Sequence, residues 1–248
     1  MSRQLRIFPD GVQLAKAAAD TFAGIAETAI AKHGRFTVAL SGGSTPRLLY
    51  ETLAAAPYSH LFDWARVHIF FGDERCVPPN DSDSNYRMVH KSLISRVPIA
   101  ETNVYRIKGE VDPAASAEDY EKRLRSYFAD SEWPEFDLVL LGLGSDGHTA
   151  SLFPETPALN EIERWVAANY VARLQTYRVT LTLPAINAAH NIAFLVTGEE
   201  KAATLQEVFL GREPAKKVPA KLINPPTGTV AWFVDTAAAQ LLTDSNYA

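Results

Sequence analysis

Apolar residues along this chain fall into two alternating rhythms. Short runs at 36–40, 67–71 and 138–141 are almost continuously hydrophobic. Such runs predict strands buried on both faces, as in a parallel sheet. Longer stretches between them space their apolar residues three and four apart. Val12, Ala15, Ala19, Phe22, Ile25, Ala26, Ala29 and Ile30 predict a helix over 11–33, with Asp10 as its N-cap and Gly34 as its stop. Pro46 suits the first turn of a helix running to about residue 55. A polar loop at 78–85 leads to a helix near 86–94, and Asp112-Pro113 opens another with Tyr120, Leu124 and Phe128 on one face. Further strands are expected at 165–168, 178–183, 192–197 and 229–234, with helices near 184–189, 199–210 and 235–242. Residues 211–228, rich in Pro, Gly and Lys, read as a connecting loop. The alternation predicts the α/β class: an open, mostly parallel sheet with helices on both faces. No repeat, low-complexity tract or break in composition divides the chain, so a single domain over 1–248 is expected.

Composition narrows the function classes. Of 248 residues, 47% are hydrophobic and 21% charged, the balance of a globular protein with a sizeable core. A formal net charge of −5 argues against nonspecific nucleic-acid binding, though not against a small anionic ligand. Cys76 is the only cysteine, so neither an intrachain disulfide nor a thiolate metal cluster can form, which suits a reducing compartment. The first ten residues lack the apolar stretch of a signal peptide, and no apolar run reaches membrane-spanning length. A cytoplasmic protein with no membrane partner is expected.

The candidate chemistry sits where strands end. Ligands of open α/β sheets bind beyond the carboxyl ends of the strands. The 138–141 strand empties into Gly142-Leu-Gly-Ser-Asp-Gly-His148, which puts an acid, Asp146, beside an imidazole, His148, among three glycines. That pair is placed for proton transfer. After the 36–40 strand, Gly42, Gly43, Ser44 and Thr45 lie at a helix N-terminus, where backbone N–H groups, hydroxyls and partial positive charge suit a phosphate. The loop matches neither G-x-x-x-x-G-K-[ST] nor G-x-G-x-x-G, nor the G-x-S-x-G nucleophile elbow. Gly72-Asp73-Glu74-Arg75 ends a third strand and would converge on the same crevice. Arg178 and Lys201, surface charges by spacing alone, gain a purpose only with an anionic ligand. Cys76 reads as packed, and His33, His60, His68 and His190 as structural or exposed.

Several blocks together carry a resemblance. They are Leu40-Ser-Gly-Gly-Ser-Thr-Pro46, Phe71-Gly-Asp-Glu-Arg75 with Asp83-Ser-Asn-Tyr86, and Leu141-Gly-Leu-Gly-Ser-Asp-Gly-His-Thr-Ala-Ser-Leu-Phe-Pro154. Arg178-Val-Thr-Leu181, Val196-Thr-Gly-Glu-Glu-Lys-Ala202 and Val218-Pro-Ala220 complete the set. In this order, over nearly the whole chain, they resemble the 6-phosphogluconolactonase family, within the superfamily that includes glucosamine-6-phosphate deaminase. The resemblance implies a Rossmann-like, deaminase-like α/β fold and hydrolysis of 6-phospho-glucono-1,5-lactone to 6-phosphogluconate, with no organic cofactor and no required metal. The implied partner is the phosphorylated sugar lactone alone, bound by a monomer or small homo-oligomer.

Carried over by position, His148 looks like the general base, Asp146 its neighbour and Arg75 a contact to substrate. Residues 42–45, Arg178 and Lys201 look like the phosphate pocket, and Asp73 is grouped with the substrate contacts. An ordinary imidazole, with a pKa of roughly 6.5, is largely neutral at physiological pH, as a base should be. The alternatives are a deaminase-isomerase and a noncatalytic sugar-phosphate binder. The deaminase pattern after Asp-Gly-His runs to Phe-Asn-Glu-Pro, whereas Ser151-Leu-Phe-Pro154 places Phe153 where its glutamate would stand. The sequence leaves open how Asp73, Glu74 and Arg75 divide their roles, and whether Lys221 reaches the site.

Overall fold

The computed structural model describes residues 3–242, so the ends of the expected 1–248 domain lie outside the described residues. β1 (Arg3–Phe8) leads into α1 (Gly11–His33), and β2 (Phe36–Leu40) into α2 (Ser44–Leu53). β3 (Val67–Phe71) is followed at once by the short β4 (Asp73–Arg75), then by α3 (Asn85–Ser92), α4 (Pro113–Tyr127) and β5 (Leu138–Leu141). A hairpin of β6 (Val166–Val171) and β7 (Thr176–Leu181) precedes α5 (Leu183–Asn187) and β8 (Asn191–Val196). The described chain closes with α6 (Ala202–Leu210), β9 (Thr229–Asp235) and α7 (Thr236–Ala239).

Six strands make one parallel sheet in the order β1-β9-β8-β5-β2-β3. β2 and β5 are neighbours, with Val38 opposite Leu138 and Ala39 opposite Val139. From β2 the chain moves outward to β3; from β5 it moves the other way, to β8. The sheet therefore reverses direction between β2 and β5, which leaves a crevice beyond their carboxyl ends. The local signals of α1 hold as expected. The Asp10 side chain accepts from the Gln13 N–H at 2.8 Å, and Gly34 ends the helix at φ +80°. Its buried stripe includes Phe22, whose ring meets Phe36 of β2 edge-on at 5.1 Å. A fully buried Phe contributes roughly 1.5–3 kcal/mol through removal of apolar surface from water.

A second sheet was not expected. β4, β7 and β6 form a three-stranded antiparallel sheet, in that order. Gly72 is the node between the two sheets: its N–H donates to Leu40 O at 2.9 Å, and its carbonyl accepts from the Leu181 N–H at 2.8 Å. Local patterning predicts strands at 165–168 and 178–183, which overlap β6 and β7, but says nothing of their direction or partners. β1, which sits at an edge of the parallel sheet, was also not anticipated. One hydrophobic core joins the layers, with Val179 and Leu181 of the small sheet packed in the same cluster as Leu40 and Leu141 of the large one.

Candidate active site

The crevice between β2 and β5 is a cleft of about 210 Å³. Residues 41–46 enter it from the end of β2, and Gly142–Gly144 and His148–Ala150 from the end of β5. The end of β8 supplies 195–197, Lys201 follows from the Glu199–Lys201 turn, and Asp73, Arg75 and Asn85 close the remaining side.

The β2 exit has features that suit an anion. α2 starts after Gly43, at φ +109°, and has no side-chain cap. Its first N–H groups are left for a ligand at the positive end of the helix dipole. The loop is pinned from behind by the fully buried Tyr50, whose hydroxyl donates to Ser41 O at 2.9 Å and accepts from the Ser41 N–H at 3.1 Å. Burial raises the Tyr50 pKa above the ordinary tyrosine range, so this hydroxyl remains a donor. Thr45 Oγ1 bonds Thr197 Oγ1 at 2.6 Å, which ties the loop to the end of β8. The Asn85 carboxamide fills the space beside Gly42, where a Cβ would overlap it.

The three charged residues of β4 divide their roles by direction. Glu74 is buried and accepts from the N–H groups of Arg75, Asn85 and Tyr86 and from the Ser84 hydroxyl, at 2.7–3.1 Å. It anchors the start of α3 rather than the ligand. Burial raises its pKa against those donors. Asp73 accepts from Ser151 Oγ at 2.6 Å and from Asn85 Nδ2 at 3.3 Å, and lines the cleft wall. Arg75 lines the cleft and donates through Nη1 to Asp83 O at 2.6 Å.

The β5 exit is a side-chain network. His148 Nδ1 bonds Asp146 Oδ1, and the His148 N–H donates to the same oxygen at 3.1 Å. Burial pushes the Asp146 carboxyl up, but the His148 hydrogen bond and charge, the His148 backbone N–H and Arg173 outweigh it and hold the pKa at about 2. Asp146 is thus an ionised acceptor held on the Nδ1 side of the ring, which leaves Nε2 unengaged by it. His148 is 29% exposed and Asp146 18%. The Phe153 ring stacks on the imidazole at 4.2 Å and 26°. Arg173, from the β6–β7 hairpin, pairs with Asp146 Oδ2 and lies 5.0 Å over the Phe153 ring. Gly144 is required here, since a Cβ would overlap the His148 ring and crowd Asp146. Behind the turn, the Ala220 N–H donates to Gly147 O at 3.0 Å.

Of the expected site residues, Gly42, Gly43, Ser44, Thr45, Asp73, Arg75, His148 and Lys201 all line one cleft. Asp146 is not part of the cleft lining and is hydrogen-bonded to His148. Arg178 lies opposite Arg75 across the β4–β7 pair, outside the cleft lining, and donates to Thr176 Oγ1 and Tyr177 O. Burial first, and the Arg75 charge second, lower its pKa. Lys221 is bound to Glu207 Oε1 at 2.7 Å and to the carbonyls of Gly211 and Glu213, and is not part of the cleft lining. Asn85, Arg173 and the stacking role of Phe153 escaped the sequence reading. The only local hint for Asn85 was its place in the Asp83–Tyr86 block.

Comparison with known proteins places this geometry. The profile described as glucosamine-6-phosphate isomerases/6-phosphogluconolactonase matches residues 9–232. The chain belongs to that family. The 6-phosphogluconolactonase of Homo sapiens is 41% identical over 242 residues, 96% of this chain and 93% of its own. That of Nostoc sp. is 39% identical over 241 residues, 96% of this chain and 98% of its own. The solved structure of 6-phosphogluconolactonase from Trypanosoma cruzi superposes with a TM-score of 0.87 at 31% identity, covering 98% of this chain and 97% of that one. The family blocks all lie within the matched span. The Val218–Ala220 block, which looked like part of a connecting loop, has a physical place in it: Val218 and Ala220 are buried, and the Ala220 N–H holds the turn that carries His148.

Proposed function

We propose that this member of the family hydrolyses 6-phospho-D-glucono-1,5-lactone to 6-phospho-D-gluconate, a step of the oxidative pentose phosphate pathway, by general-base activation of water. One observation carries the reading: an imidazole tethered at Nδ1 by an ionised Asp146 shares a cleft with an uncapped helix N-terminus and Lys201. The two features suit the two ends of a six-carbon sugar acid. The phosphate sits on the N–H groups of residues 43–45 and on Lys201, with Arg75 as a further substrate contact. Nε2 takes a proton from water as it attacks the C1 carbonyl. The protonated His148 then returns the proton to the ring oxygen as the C1–O bond breaks, with no covalent intermediate. Asp146 positions the ring and compensates the transient imidazolium charge. Phosphate contacts remote from C1 fix the lactone for attack, where positioning has most effect on rate.

The reading requires no cofactor. It includes a single domain, a cytoplasmic setting, and a monomer or small homo-oligomer. Among the described residues no helix is long and apolar enough to cross a membrane. The test is a pH-stat assay on freshly generated lactone, corrected for its spontaneous opening. Turnover well above that background supports the proposal, and none removes it. Glucosamine 6-phosphate in the same cleft should release no ammonia, because an apolar ring at Phe153 stacks on His148 where ring opening would need a carboxylate.

A further inference from the structure

Beyond Arg75 the cleft opens into a groove that the proposed hydrolysis does not use. Gly43, Ser44, Arg75 and Asn85 line both the cleft and the near end of this groove. Arg47, Ser82 and Met88 line both the groove and a pocket of about 300 Å³ at its far end. The pocket is strongly cationic: Arg47, Arg87, Lys91 and Arg96 line it, against Glu51 as the one carboxylate. Arg47 and Glu51 form a loose, exposed pair at 3.7 Å. Among the described residues, Arg87, Lys91 and Arg96 have no carboxylate within 4.0 Å of their charged nitrogens.

A cation in the last turn of a helix is ordinary complementation of its dipole, and this accounts for Lys91 in α3. It does not account for the others. Arg47 is in the first turns of α2, the end a cation disfavours, and Arg96 comes from the separate turn Ile94–Arg96. Three elements thus bring four cations together on a chain with a formal charge of −5. Clustered charge of one sign in a concave surface focuses the field and concentrates counter-ions.

We propose that this pocket is a second, peripheral phosphate site, where a phosphorylated sugar docks before passing along the groove into the cleft. The proposal rests on the lactonase reading for the identity of its ligand. It takes a phosphate monoester dianion, held by Arg87, Lys91 and Arg96, and the groove leads it past Arg47 to Arg75.

The probe is inorganic phosphate, titrated into the full chain and followed by amide chemical shifts. Two groups of amides should respond, one at residues 43–45 and one at 87–96. The double variant K91E/R96E should lose only the second group. Its kcat should equal that of the parent chain, while its kcat/KM falls several-fold at low salt. The two proteins should converge near 1 M salt, where the Debye length is about 3 Å. A response confined to the cleft amides overturns the proposal, as does an unchanged kcat/KM of the double variant at every salt concentration. The shift measurement needs no turnover, so a protein that fills both sites but opens no lactone loses the lactonase reading and keeps the second site.

Discussion

The two strand exits that meet in the cleft are built from different materials. At the end of β2 the cleft is lined by backbone N–H groups and short hydroxyls on a loop pinned from behind by Tyr50, and Lys201 joins them from the turn after β8. At the end of β5 the cleft is lined by one imidazole, which contacts Asp146 and Phe153 of its own loop, with Arg173 of the β6–β7 hairpin against both. Under the proposed function, the first region recognises charge and tolerates small adjustments, because hydrogen bonds to a phosphate can be redistributed, while the second has one reactive atom to place. Damage at the β2 exit should appear as weaker binding, and damage at the β5 exit as slower chemistry.

The largest effect that would test this division is His148→Ala. General-base help is worth about 10²–10⁴-fold, so kcat should fall by that factor while calorimetry shows 6-phosphogluconate bound as before. Gly144→Ala attacks the same exit indirectly, because its Cβ claims the space of the imidazole. A displacement of about 1 Å can cost 10²-fold in rate, so kcat should drop about that much, again with product affinity kept. Lys201→Ala sharpens the contrast from the other side. A hydrogen bond to a charged group contributes about 1.5–3 kcal/mol, so KM should rise about tenfold or more with kcat little changed. If Lys201→Ala lowers kcat and leaves KM, the two exits do not divide as described.

The smallest effect is one of pH. The Asp146 carboxyl is held at about 2 in the folded chain, below its ordinary 3.8. A lowered carboxyl pKa stabilises the fold above the unfolded value and loses that contribution as pH falls through the folded one. The urea midpoint of the parent chain should therefore decline from about pH 4 towards 2, and that of Asp146→Asn should decline less over the same range. Equal slopes would mean that the pair with His148 contributes nothing. The same shift leaves Asp146 ionised above about pH 3, so it is not the source of any acid-side loss of activity there.

What the sequence made legible were features carried by neighbours in the chain. The cap at Asp10, the stop at Gly34 and the buried runs of β2, β3 and β5 are local, and each stands where it was expected. The order of motifs brought the anion loop and the Asp146–His148 turn to one crevice, because strand exits at a reversal point share it. The misses are interactions across the fold. β4 consists of Asp73, Glu74 and Arg75, a composition that reads as solvated loop; it is a strand because β7 pairs with it and buried donors satisfy Glu74. β1, with Arg3, Gln4 and Arg6 among its six residues, lacks the apolar run of a central strand and survives at a sheet edge. Arg173 belongs to the site only because the second sheet folds its hairpin back over Phe153 and Asp146. No spacing in the chain announces that contact.

The central claim is that the two exits grip opposite ends of one ligand, and a crystal structure with 6-phosphogluconate tests it most directly. The account predicts phosphate oxygens on the N–H groups of residues 43–45 and on Lys201, with the C1 carboxylate within about 2.6–3.2 Å of His148 Nε2. A phosphate seated against His148, or a C1 group pointing away from Nε2 towards solvent, would contradict it.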